Sequence, residues 1–130
     1  MSTEPAASEQ LLMLLVGAGH LARSHGCFAQ ARQLFEQLQV TFPERASPWL
    51  GLALLEIDRQ DYARASSRCR AALAVAPDYA LARAWLGVCQ FALGEGSQAV
   101  RTFSSMDAHD DAAGRLAASM LQLIHALDRA

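Results

Sequence analysis

The sequence predicts an all-α solenoid: three helical hairpins in a superhelix, closed by a C-terminal capping helix. Two observations predict it. First, residues 46–79 read ASPWLGLALLEIDRQDYARASSRCRAALAVAPDY, and sliding the chain by the 34-residue length of that unit superposes residues of like size. Gly26, Gln60 and Gly94 meet at one turn. Ala31, Ala65 and Ala99 meet where two helices must approach closely, and Gly19, Ala53 and Gly87 are the small residues facing them. Phe35, Cys69 and Phe103 share a large apolar position, and Pro43, Pro77 and Asp111 close the units. Bulky side chains at close crossings would overpack them, so the pattern constrains size and not merely hydrophobicity. Second, the chain is rich in Ala and Leu and holds only 7% aromatic residues, which favours helix throughout.

The frame places repeats at 12–45, 46–79 and 80–113 within one domain spanning 9–129. Residues 1–8 are small, polar and proline-containing and are expected to be disordered. Ser8 is the expected cap of a first helix running to about Ser24. The helices then expected are 28–42, stopped by Pro43, 48–59, 62–76, 80–93 and 97–106. Pro48 suits a first helical turn, and Asp61 suits the cap before Tyr62. Asp110 or Asp111 caps a last helix at 112–129, whose Leu116, Met120, Leu123, Ile124 and Leu127 lie at three- and four-residue spacing. That helix is expected to cover the open flank of the third hairpin.

Composition excludes several classes of function. The net charge is −2 and no basic stripe occurs, so no nucleic-acid partner is expected. Three widely spaced cysteines do not form a disulfide framework and fit a reducing cytoplasm. Residues 1–10 are polar and acidic and do not read as a secretory leader. The apolar run LLMLLV, from Leu11 to Val16, is too short for membrane insertion. It has two readings: a hydrophobic start folded on the second helix, or a surface for a homodimer or a co-chaperone.

Catalytic and cofactor signals are weak. His20 and His25 point to different faces of a helix, and Cys27 sits in a turn, so no metal is expected there. Cys69 and Cys89 fall where helices pack and read as small buried residues. Asp107, Asp110 and Asp111 lack the spacing of a calcium loop, and His109 and His125 have no evident partner. GEG at 94–96 lacks the Lys-Ser/Thr of a phosphate loop. The expectation is a non-enzyme without cofactor.

The aligned small, aromatic and proline positions over 12–113 resemble the tetratricopeptide repeat family. The resemblance implies a concave groove lined by the first helix of each repeat, at its second, fifth, ninth and twelfth positions. The candidate groove residues are Met13, Val16 and His20, then Leu50, Leu54 and Ile57, then Leu81, Ala84, Val88 and Phe91; Arg23 and Ser47 fall at the same offsets. Most are apolar, which suits an apolar or amphipathic segment of another protein; a tight superhelix that covers some of them is the other reading. Family members that hold acidic C-terminal peptides carry Lys, Arg and Asn at such positions. Here the sixth positions are Gly17, Gly51 and Trp85, and that clamp is missing.

Within the family, PWLGLALLEI, WLGVCQFALGEG and the Leu-rich groove resemble the chaperones of bacterial type III secretion, of the translocator or needle type. That resemblance implies a cytoplasmic, virulence-associated chaperone that shields a secreted or apparatus protein. The longer N-terminal extension of the translocator chaperones is missing, so the shorter needle-type chaperones fit better. The alternative is a scaffold in assembly of a secretion, pilus or envelope complex, working through outer surfaces.

Overall fold

The computed structural model describes residues 4–106 and 111–130, with side chains from Ser8 onward. Seven helices follow one another among the described residues: α1 (Glu4–Ser24), α2 (Phe28–Thr41), α3 (Ser47–Asp58), α4 (Tyr62–Val75), α5 (Ala80–Ala92), α6 (Gly96–Ser104) and α7 (Ala112–Arg129). The described residues contain no strand. Asp107, His109 and Asp110 lie outside the described residues.

Local chemistry sets the boundaries. Asp61 caps α4 by accepting from the Arg64 backbone N–H at 3.2 Å, and Asp111 caps α7 by accepting from the Gly114 N–H at 2.7 Å. Pro48 lies in the first turn of α3. The three aligned turn residues all have positive φ: 77° at Gly26, 60° at Gln60 and 81° at Gly94. Glycine adopts this region freely, and Gln60 does so at a steric cost.

The start of α1 differs from the sequence expectation. The helix begins at Glu4, so Ser8 lies inside it and not at its cap. Pro5 falls in the first turn, where its missing N–H costs nothing.

Each helix packs on the next, and α1 also packs on α3 and α5 on α7. No pair among α2, α4 and α6 packs as extensively. First helices therefore line the inner side of the coil and second helices the outer. α7 occupies the place of a fourth first helix.

Packing is graded by size at the aligned positions. The Phe35 ring lies between Gly19 and Gly51, where an added Cβ would come within 2.6 Å and 2.4 Å of it. Phe103 lies on Gly87, where the same test gives 2.5 Å. The middle repeat carries the smaller Cys69 in a cluster with Ala53, against which the larger Trp85 packs. A big ring meets glycines, and a small thiol meets an indole, so each interface fills.

A second pairing also repeats. Ala22 and Leu34 both pack into the first core cluster. One repeat later the same positions hold Glu56 and Arg68, at 3.9 Å, and Glu56 also takes Arg32 at 3.0 Å. The next pair is Gln90 and Thr102, whose hydroxyl donates to the Gln90 carbonyl at 2.6 Å. Buried Glu56 and Gln90 are thus satisfied by partners from the facing helix.

The last helix differs in its buried face. Ala117 and Ile124 are buried against Ala99 and Phe103, with Met120 and Leu121 packed on the cluster, and Ala113 is also buried. Leu123 and Leu127, expected on the covered face, are 45% and 53% exposed. α7 lies on both α5 and α6, which rotates its contact face toward the alanines.

Candidate functional site

The inner face of the coil runs across α1, α3, α5 and α7. The structure sorts the ten candidate residues into three groups. Met13 is largely exposed, at 66%. Val16, His20, Leu54, Ile57, Leu81, Val88 and Phe91 are half-buried. Leu50 and Ala84 are core, at 3% and 0%, and have no surface to offer a ligand in this conformation. Leu50 is covered by the cluster that holds Ala53, Cys69 and Leu86, with Leu81 and Trp85 packed on it. Fifth positions in the second and third repeats thus face the neighbouring helix and not the groove.

The half-buried apolar residues other than Ile57 are anchored from behind. Val16 packs on the cluster of Leu12, Phe35 and Leu52. Leu54 and Leu81 pack on the Leu50 cluster, and Val88 and Phe91 on the Phe103 cluster shared with α7. Their positions are set by core packing, so the apolar surface they show is preorganised.

His20 is the one titratable residue of the ten. Its ring meets Phe35 at 5.1 Å between centroids and 56° between planes. Its Nδ1 is buried without a hydrogen-bond partner among the described residues. Burial, and then the nearby Arg23 charge, lower its pKa from 6.5, so it stays neutral near pH 7. Arg23 itself is held by Asp58 on α3 through two hydrogen bonds, at 2.9 and 3.1 Å. It ties α1 to α3.

Sequence reasoning missed two features. The first is the role of Gly51: the Phe35 ring fills the space a side chain would need, so no clamp residue fits at that position without repacking. Trp85, at the equivalent position one repeat on, is likewise taken up by the Cys69 cluster. The second is the extension of the groove onto α7. One repeat length beyond Leu81, Ala84, Val88 and Phe91 stand Arg115, Ala118, Gln122 and His125, all exposed. Continuing the 34-residue frame past position 113 was the available signal. The inner face is therefore apolar from α1 to α5 and more polar on α7.

Buried Cys69 offers no reactive thiolate at this face. Cys69 and Cys89 are buried and share a side-chain hydrogen bond; that bond and burial push the Cys69 pKa well above the usual thiol range. Among the described residues, no group of three His, Cys, Asp or Glu side chains is placed to hold a metal. No helix among them is long and apolar enough to cross a membrane.

Two tetratricopeptide repeat profiles match the chain, one over residues 56–124 and one over 16–65. The chain belongs to the tetratricopeptide repeat family. Solved tetratricopeptide structures share its fold. The first tetratricopeptide domain of Spaghetti (RPAP3), bound to the HSP90 peptide SRMEEVD, superposes with a TM-score of 0.78 at 18% identity, covering 93% of this chain and 95% of that one. The second domain of the same protein, bound to the same peptide, gives 0.67 at 20% identity, covering 78% and 94%. At such identities the likeness is one of fold. No curated protein matches the chain.

Proposed function

We propose that this tetratricopeptide protein is a non-enzymatic chaperone that holds an apolar or amphipathic segment of another protein on its inner face. The observation that carries this is the row of Val16, Leu54, Ile57, Leu81, Val88 and Phe91. All are partly buried, and all but Ile57 pack on core clusters from behind. The part of the row left open to solvent is a contiguous apolar surface of the kind that marks a binding site. Full burial of a Leu- or Phe-sized side chain is worth about 1.5–3 kcal/mol, and each of the six, already mostly covered, supplies the smaller part of that on binding. Ordering of the ligand offsets part of the gain. Acidic peptides fit the inner face poorly, because Gly51 and Trp85 stand where charge-assisted donors would be needed.

The finer reading is a cytoplasmic chaperone of a type III secretion system, shielding a secreted or apparatus subunit before export. It rests on the resemblance of the repeats to those chaperones and on the apolar character of the inner face. The second reading is a scaffold for a secretion, pilus or envelope complex. It is favoured by the outer side of α1, where Leu11, Leu14 and Leu21 are exposed and suit a homodimer or co-chaperone.

The deciding experiment is a pull-down of the tagged protein from its host, with Leu54→Glu and Val88→Glu as controls. One small export-type protein, lost in both variants while helicity is retained, supports the chaperone. Several folded proteins retained by both variants support the scaffold. Binding that persists in the variants refutes the inner face as the site.

A further inference from the structure

A second concave feature lies outside the groove. A cleft of about 910 Å³ runs along α2. Phe28, Arg32, Gln33, Glu36 and Val40 of α2 form one wall, and Arg59 at the end of α3 closes it. A smaller depression adjoins it and shares Arg32 and Arg59, adding Glu56, Asp61 and Arg64.

The charges here are not all spent. Glu56 forms the floor, 2% exposed, and is neutralised by Arg32 and more loosely by Arg68. Asp61 is taken by its capping bond and by Arg64 at 3.7 Å. Arg32 gives one N–H to Glu56 and is one-quarter exposed, leaving donors that open on the cleft. The Arg59 side chain has no ion pair or hydrogen bond among the described residues. Glu36 is the one acidic lining group without an ion pair among them, and it lies a turn along α2, toward Val40. The cleft therefore has one unpaired cation among the described residues, Arg59, beside the open donors of Arg32. Its apolar contacts are Phe28 and Val40, which are 38% and 76% exposed.

We propose that this outer cleft is a second binding site, for an acidic peptide segment of a partner protein. A carboxylate of that segment is held between Arg59 and the open donors of Arg32, and an apolar side chain next to it lies on Phe28 and Val40. The guanidinium fork matches a carboxylate, and the buried Glu56 fixes Arg32 in place before the ligand arrives. The site is independent of the inner-face reading, since it shares no residue with it.

The test is fluorescence anisotropy with a short labelled peptide of alternating Asp and Leu, alongside the same peptide carrying Lys in place of Asp. The expected result is binding of the acidic peptide alone, weakened about tenfold or more by Arg59→Glu and by Val40→Asp, and unchanged by Leu54→Glu. Arg59 and Val40 are exposed, so circular dichroism of both variants should match the parent. Equal binding of the Lys peptide, loss of binding in Leu54→Glu, or no binding of the acidic peptide overturns the proposal.

Discussion

Gly51 is the residue on which repeat packing and groove chemistry converge. Its missing Cβ makes room for Phe35, and the same absence removes a position from which a ligand could be gripped. Gly51→Ala should cost about 1–3 kcal/mol, because the Phe35 ring is held by Gly19 on its other side and cannot retreat. Urea unfolding measures it; an unchanged midpoint would show that the ring has somewhere to go. His20 gives a second prediction. The folded protein binds the His20 proton less readily than the unfolded chain does, so its contribution to stability falls as pH drops below 6.5 and keeps falling until the folded imidazole also titrates. Melting temperature should therefore decline between about pH 7.5 and about pH 5.5, and His20→Gln should flatten part of that decline. A slope identical in the variant would assign the effect elsewhere. Some of this was legible beforehand and some was not. Small residues at 19, 53 and 87 announce close crossings, because size is written in the sequence. The burial of Leu50 and Ala84 is not, because it depends on how far each first helix is rotated toward its neighbour.

At the scale of elements, the hairpin turns test the repeat frame most directly. Three residues one repeat apart, Gly26, Gln60 and Gly94, share a left-handed backbone, and only the middle one carries a side chain. Gln60→Gly should stabilise the protein by about 0.5–1 kcal/mol, the relief of αL strain less the added freedom of the unfolded chain. Differential calorimetry would register it as a higher melting temperature; a lower one would mean that the Gln60 side chain contributes more than its strain costs. The helix termini show where local signals suffice. Asp61 and Asp111 cap as their spacing implies, since a carboxylate reaching a backbone N–H three residues on is a local event. The cap of α1 was misread because Ser8 suits an N-cap, although Pro5 also suits a first helical turn. The buried face of α7 was misread for a different reason. Leucine spacing defines several overlapping stripes, and contact with two helices at once selects the narrow alanine side.

The whole molecule is a row of interfaces, not one core, and that architecture makes its own prediction. The cluster around Phe35 joins α1, α2 and α3, while the cluster around Phe103 joins α5, α6 and α7, and they share no residue. The middle repeat, with Cys69 against Trp85, separates them. In such a chain, stability is close to a sum of local and nearest-neighbour terms. Phe35→Leu and Phe103→Leu should each cost about 1–3 kcal/mol, by leaving a void beside glycines that cannot fill it. In the double variant the two costs should add to within about 0.5 kcal/mol, as expected for sites with no shared partner. Equilibrium denaturation of the four proteins in the cycle measures this. A coupling above about 1 kcal/mol would mean that the middle repeat transmits packing strain from one end of the coil to the other. The inner face would then respond as a unit: an occupant seated at α1 would change the fit at α5. Additivity would instead let the Val16 end and the Val88 end engage successive segments of a ligand independently, which suits a surface that must hold an unfolded chain and later let it go.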